Sequence, residues 1–176
     1  MMHKTSRIYG FTLIEILVVV LTLGILVLLG AVQYSKTVEM NRAEQAIVLV
    51  KQIAAANHMY SLDSSGNYVS GQLTNNACNA AACPATLTGA SPCDLIACHY
   101  MPQRDWGDNA QGDFATYDAY AVNPVNGSQP CKLGANSNDL ACVQRNSTAQ
   151  NPYNGWGYTV DITGAVQAFG GAPSQP

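Results

Sequence analysis

The stretch Gly10-Phe11-Thr12-Leu13-Ile14-Glu15 opens an apolar run that continues to Val32. As a helix, its 22 residues would be about 33 Å long, enough to cross a bilayer core of about 30 Å. An ionised acid inside such a segment costs at least a few kcal/mol and usually marks function. The run therefore predicts a membrane-spanning helix with a functional acid at Glu15; the alternative is that Glu15 only reaches the cytoplasmic headgroup layer.

The first ten residues, MMHKTSRIYG, are hydrophilic and carry Lys4 and Arg7. A general secretory signal places its apolar stretch before the cleavage point, whereas here that stretch follows Gly10. Cleavage after Gly10 would therefore remove residues 1–10 and leave the apolar run as the new N-terminus. The positive leader predicts that the N-terminus stays cytoplasmic and that the C-terminal part lies outside.

Helical periodicity continues beyond the apolar segment 11–32 into an amphipathic half, 33–62. Apolar or small residues recur three and four apart, as in a helix that packs on one face: Val38, Ala43, Ala46, Ile47, Val50, Ile53 and Ala54. The predicted outer face carries Lys36, Glu39, Arg42, Glu44, Lys51 and Gln52. Since no proline interrupts residues 11–62, we predict one helix of roughly 50 residues that ends between Ser61 and Gly66, where the glycine suits a left-handed stop.

The remainder predicts a small antiparallel sheet and hence an α+β fold. A cysteine-rich connector, 63–115, shows no clear strand pattern, and a sheet region, 116–170, follows it with a cysteine loop at 131–142. Alternation predicts a strand at 116–123, and the runs on either side of Thr163-Gly164 predict a β-hairpin. Residues 171–176 resemble a flexible tail.

Six cysteines in a loop-rich region after a membrane segment indicate disulfides formed in an oxidising compartment. They are Cys78, Cys83, Cys93, Cys98, Cys131 and Cys142. Six cysteines allow 15 connectivities. Nearest-neighbour pairing is our prediction because each such pair brackets its own short loop; structural zinc is the alternative.

Other chemistry is weakly indicated. The net charge of −3 and the absence of a basic patch argue against nucleic-acid binding. None of His3, His58 and His99 lies in a strand–turn context next to a plausible nucleophile, so we predict no enzyme activity and no catalytic residue. Cofactors are not expected, although the acid-rich stretch with Asp105, Asp108 and Asp113 is a weak calcium candidate; a solvated turn is its ordinary interpretation.

The first 35 residues resemble the class III signal of type IV pilins and of the pseudopilins of type II secretion. The resemblance rests on Gly10 before the cleavage point, Phe11 after it, Glu15 at the fifth mature position and the apolar run behind a short basic leader. It implies a ladle-shaped fold, cleavage by a prepilin peptidase after Gly10 and N-methylation of Phe11. It also implies pairing of Glu15 with the Phe11 amine of a neighbouring subunit, which would set the register of a filament.

The same resemblance implies the partners and the location. The prepilin would lie in a bacterial inner membrane, and an assembly platform with a cytoplasmic ATPase would polymerise it into an extracellular helical homopolymer. A type IV pilus subunit is our preferred interpretation, with adhesion, motility and DNA uptake left open. The alternatives are a secretion pseudopilin and a non-polymerising, single-pass anchored extracytoplasmic binding domain. One departure from the family is Val32, where such pilins often carry proline.

Overall fold

Helix α1 runs without interruption from Leu13 to Asp63, 51 residues, which confirms the prediction of one long helix. The computed structural model describes residues 11–74, 78, 81–89, 91–106, 116–125, 131, 138–146, 149 and 153–173, with the backbone alone at 29–32. The chain falls into two compact units, Met1–Met40 and Asn41–Pro176.

The helix ends in a left-handed turn, as the sequence predicts, but two residues share it. Ser65 and Gly66 both have positive φ, 60° and 91°. The Gly66 N–H donates to the carbonyl of Ser61, five residues earlier, at 2.8 Å, and this bond closes the last turn of the helix. Ser65 therefore adopts a conformation that glycine usually supplies.

In the second unit, α1 buries the predicted stripe. Ala46, Val50 and Ile53 are fully buried and share one core with the sheet residues Ala141 and Tyr158. Burying such a stripe supplies most of the stability of an amphipathic helix.

Glu39 was predicted on the outer face of α1, and this is wrong. Its side chain is only 3% exposed. Helix geometry explains the difference, because positions 39, 43, 46, 50 and 53 follow one another at spacings of three and four and therefore share one side.

In the part of the chain that the structure describes, five antiparallel strands form a sheet in which each strand pairs with the next along the chain. The strands are β1 (Gly71–Gln72), β2 (Tyr117–Ala121), β3 (Asp139–Arg145), β4 (Gly157–Asp161) and β5 (Val166–Phe169). The predicted strand at 116–123 is confirmed as β2 and the predicted hairpin as β4 and β5. The α+β class is therefore correct.

Sequence reasoning missed two strands. The central strand β3 is buried on both faces, with only Gln144 partly exposed, so it lacks the alternation that reveals a half-buried strand. The edge strand β1 has two residues and lies in the segment predicted as a connector without clear strands. A short helix, α2 (Asp94–Ala97), also lies in that segment.

All six cysteines form disulfides, but two of the three predicted pairings are wrong. The bonds are Cys78–Cys93, Cys83–Cys98 and Cys131–Cys142, so only the last nearest-neighbour pair is confirmed. Helix α2 explains the error, because it separates Cys93 from Cys98. Five residues of helix rise about 7.5 Å, and disulfides rarely join Cα atoms more than about 7 Å apart. Zinc is excluded as a ligand of these six sulfurs, because no cysteine is free.

One buried side chain ties α1 to three separate backbone segments. Asn57 is fully buried, and its Nδ2 donates to the carbonyl oxygens of Val122 at 2.9 Å, Leu140 at 3.0 Å and Val69 at 3.3 Å. Its Oδ1 accepts from the Val69 N–H at 3.0 Å. The amide thus satisfies backbone groups that are costly to leave unpaired in a core.

The β4–β5 turn is organised by Asp161. Its Oδ1 accepts hydrogen bonds from the Thr163 hydroxyl and N–H at 2.5 and 2.8 Å and from the Ala165 N–H at 3.0 Å. These bonds, the Thr163 hydroxyl first, hold the pKa of the Asp161 carboxyl below its ordinary value. A lowered folded-state pKa stabilises the fold above the unfolded value of about 3.9, and this stabilisation is lost as the pH falls.

We therefore expect Asp161→Ala to lower the melting temperature near neutral pH and to have a shrinking effect below about pH 3.9. Fluorescence of the two buried tryptophans, Trp106 and Trp156, reports unfolding of the second unit in non-ionic detergent. Thr163→Val is the matched control, and it should reduce the same pH-dependent contribution to the melting temperature. A melting-point difference that stays constant from neutral to acid pH would contradict this role.

Candidate assembly site at the start of α1

The first turn of α1 is closed by a reciprocal pair of side chains, Thr12 and Glu15. Thr12 directly precedes the helix, and its carbonyl accepts from the N–H groups of Glu15 and Ile16 at 3.1 and 3.4 Å. The Glu15 Oε2 accepts from the Thr12 N–H at 3.0 Å and from the Thr12 hydroxyl at 2.9 Å. The Glu15 N–H in turn approaches the Thr12 Oγ1 at 3.4 Å.

This arrangement is a capping box, in which residues three apart satisfy each other's unpaired N–H groups. Both side chains remain exposed, and the carboxylate lies at the helix end where the peptide dipoles favour negative charge. Glu15 therefore has hydrogen-bond partners within a single chain. Sequence reasoning missed Thr12, although Thr-x-x-Glu before an apolar run is a recognisable capping signal.

Beyond the cap, α1 presents an apolar surface on every side. Every large apolar side chain from Phe11 to Leu28 is at least 51% exposed, and Phe11 itself is 83% exposed. A helix that is apolar all round needs lipid or protein around it. By length and composition, α1 contains one segment able to cross a membrane. Signal sequences near an N-terminus have the same length and apolar composition.

The polar residues within this segment are satisfied locally. The Thr22 hydroxyl donates to the Val19 carbonyl at 2.9 Å, within one helical turn. At Gly24 a side chain would meet nothing within 4 Å, so glycine is not required there for packing within the chain. The helix also continues through Val32, a position where the type IV pilins, which the first 35 residues resemble, often carry proline.

The other predicted site residues that the structure describes do not form a metal site. Gly10 lies outside the described residues, as do Asp108 and Asp113 of the weak calcium candidate; Asp105 is exposed. Among the residues that the structure describes, no three His, Cys, Asp or Glu side chains are grouped to hold a metal ion. His58 is exposed on α1, and His99 is exposed beside Cys98.

The first turn thus combines an exposed Phe11, a capped carboxylate and a long apolar surface. Such a surface can associate with lipid or with copies of itself, and the carboxylate can exchange its hydroxyl and amide donors for a cation. No protein-family model matches this chain, and neither a curated protein nor a solved structure matches it.

Proposed function

We propose that this chain is a filament-forming structural subunit of the type IV pilin class. The observation that carries the proposal is the apolar surface of α1 from Phe11 to Leu28, exposed on all sides and continuous with a helix that enters a disulfide-bonded unit. Lipid covers this surface before assembly, and α1 helices of other subunits cover it afterwards. The GFTLIE motif supports the same class.

Maturation prepares the segment for assembly. A prepilin peptidase cleaves after Gly10 and the new amine of Phe11 is methylated. Removal of residues 1–10 takes away Lys4 and Arg7 and no acid, so the side chains of the mature subunit carry a net charge of −5. The new ammonium then lies four residues before Glu15, at the same end of the chain.

In the assembled filament, the Glu15 carboxylate exchanges its Thr12 donors for the Phe11 ammonium of a neighbour. Both charges would be costly if buried alone among apolar helices, but each satisfies the other across the subunit boundary. Because only one axial offset brings them together, the pair sets the register. An inner-membrane platform with a cytoplasmic ATPase drives the addition of subunits.

A pilus subunit is preferred over a secretion pseudopilin because the long cysteine-bonded region suits a durable extracellular surface. The second candidate is a single-pass anchored extracytoplasmic binding domain that does not polymerise. One specific observation favours it: Thr12 already satisfies Glu15 within one chain, as an ordinary helix cap would.

The intact mass of the protein purified from membranes of its native cell tests this proposal. We expect a species that lacks Met1–Gly10 and carries one added methyl group on Phe11. Gly10→Val is the matched control and should retain the leader, because a branched side chain obstructs the cleavage position. A wild-type protein that retains its leader would refute the pilin assignment and leave the anchored domain.

A further inference from the structure

Four cysteines of the region 78–98 are joined out of sequence order. Cys78 pairs with Cys93 and Cys83 with Cys98, each across 15 positions, so the two disulfide loops overlap. Cys131–Cys142, by contrast, joins neighbours in the sequence. From this overlap, we infer that the chain requires an external thiol catalyst of the dithiol–disulfide isomerase class to reach its native pairing. The inference does not depend on whether the chain polymerises.

Oxidation of the unfolded chain favours the wrong pairs. Cys78 and Cys83 are five positions apart, as are Cys93 and Cys98, whereas each native pair spans 15 positions. Short loops lose less entropy on closure than long ones. In a chain that emerges from its N-terminus, Cys78 and Cys83 also become available before the other two. Consecutive pairing is therefore the expected first product.

Such a chain has no means of correcting itself. The native Cys131–Cys142 bond also joins consecutive cysteines, so consecutive pairing uses all six cysteines. The native structure likewise contains no free cysteine. Disulfide exchange needs an attacking thiolate. With every sulfur oxidised, that thiolate must come from another molecule.

The native fold excludes the wrong Cys93–Cys98 bond. Cys93 lies at the start of α2 and Cys98 at its end, and the Cys98 N–H donates to the Asp94 carbonyl at 2.9 Å. That helical turn holds the two Cα atoms farther apart than a disulfide tolerates. Folding of α2 therefore favours conversion to the native pairs once exchange can begin.

The two overlapping native disulfides, Cys78–Cys93 and Cys83–Cys98, differ in their exposure to solvent. Cys78 and Cys93 are each only 2% exposed and belong to the core. Cys83 is exposed and Cys98 is half-buried. A catalyst can therefore reach Cys83 even when the surrounding structure is nearly native, whereas it cannot reach the buried pair.

Three exchanges complete the conversion without net oxidation. The catalyst thiolate attacks Sγ of Cys83, breaks the Cys78–Cys83 bond, forms a mixed disulfide and releases the Cys78 thiolate. Cys78 then attacks Cys93, which forms the native buried bond and releases the Cys98 thiolate. Finally, Cys98 attacks the mixed disulfide at Cys83, which forms the native exposed bond and regenerates the catalyst thiolate.

Disulfide mapping of the full chain in detergent micelles tests the inference. The reduced chain is oxidised with a thiol-free oxidant, diamide, then incubated with or without a reduced dithiol isomerase and quenched in acid. Peptic cleavage after Leu87 and Leu95 distinguishes the products. Consecutive pairing leaves the 78–83 bond as a loop within one peptide, whereas native pairing joins three peptides. We expect consecutive pairing without isomerase and native pairing after isomerase is added.

The double variant Cys83→Ser/Cys98→Ser is the matched control. It leaves Cys78, Cys93, Cys131 and Cys142, for which the native pairing is also the consecutive one. We expect it to form Cys78–Cys93 with diamide alone. The inference is overturned if the wild type reaches the native map equally fast without isomerase, or if the double variant needs isomerase as much as the wild type.

Discussion

Glu15→Val is expected to abolish incorporation of this chain into filaments while leaving its insertion into the membrane intact. The substitution makes the apolar segment more hydrophobic, so insertion is not impaired. In the proposed filament, however, the Phe11 ammonium of the neighbour would be buried without a counter-ion, and an uncompensated buried charge costs about 3–5 kcal/mol. Sheared surface fibres and membrane fractions, compared by immunoblot, measure the two outcomes separately.

Thr12→Val is the control that separates the two roles of Glu15. It removes the hydroxyl that donates to Glu15 at 2.9 Å but keeps the carboxylate and nearly the same side-chain volume. If Glu15 pairs with a neighbouring amine, Thr12→Val subunits still assemble. If Glu15 only caps α1, both variants weaken the first turn by about 0.5–2 kcal/mol and behave alike. Normal filaments from Glu15→Val would refute the registry role.

Asn57→Ala is expected to lower the free energy of unfolding of the second unit by about 3–5 kcal/mol. The substitution removes the partner of the Val69 N–H and of the carbonyls of Val69, Val122 and Leu140. Each buried backbone group left unpaired costs about 1–3 kcal/mol. The Leu140 carbonyl loses least, because it also accepts from the Val122 N–H at 2.9 Å.

Asn41→Ala is the matched control for Asn57→Ala, because it makes the same chemical change at an exposed position of the same helix. A change within about 0.5 kcal/mol is expected there. Denaturant unfolding in non-ionic detergent, followed by tryptophan fluorescence, measures both variants. Equal effects of the two substitutions would contradict the role of Asn57 as the link between α1 and the sheet.

Local pattern was sufficient to predict α1 and the β4–β5 hairpin. Both depend on signals within a few residues: apolar spacing of three and four, the absence of proline, and the Thr163-Gly164 turn between alternating runs. Strand β3 is different, because Asp139–Arg145 is buried on both faces and its short apolar run has no period. Only its neighbours β2 and β4 identify it as a strand.

The residues of the candidate site and of the core also differ in whether local sequence reveals their role. The position of Glu15 in an apolar run predicts a functional acid from sequence, and the Thr-x-x-Glu spacing, although it was overlooked, is a signal for the cap, since both are features of one helical turn. No local sequence pattern indicates the role of Asn57. Its three carbonyl acceptors lie 12, 65 and 83 positions away, so its role exists only once distant segments meet.

The sequence by itself determined the long helix, its apolar first half, the acid at Glu15 and the oxidised state of the cysteines, because each follows from composition or short-range spacing. Tertiary structure decided which cysteines pair, which strand lies at the centre of the sheet and what Asn57 holds together. Cys78 and Cys93 join because folding places them 4.6 Å apart between Cα atoms, whereas α2 separates Cys93 from Cys98. Proximity in the chain favours one set of bonds, and the packed structure selects another.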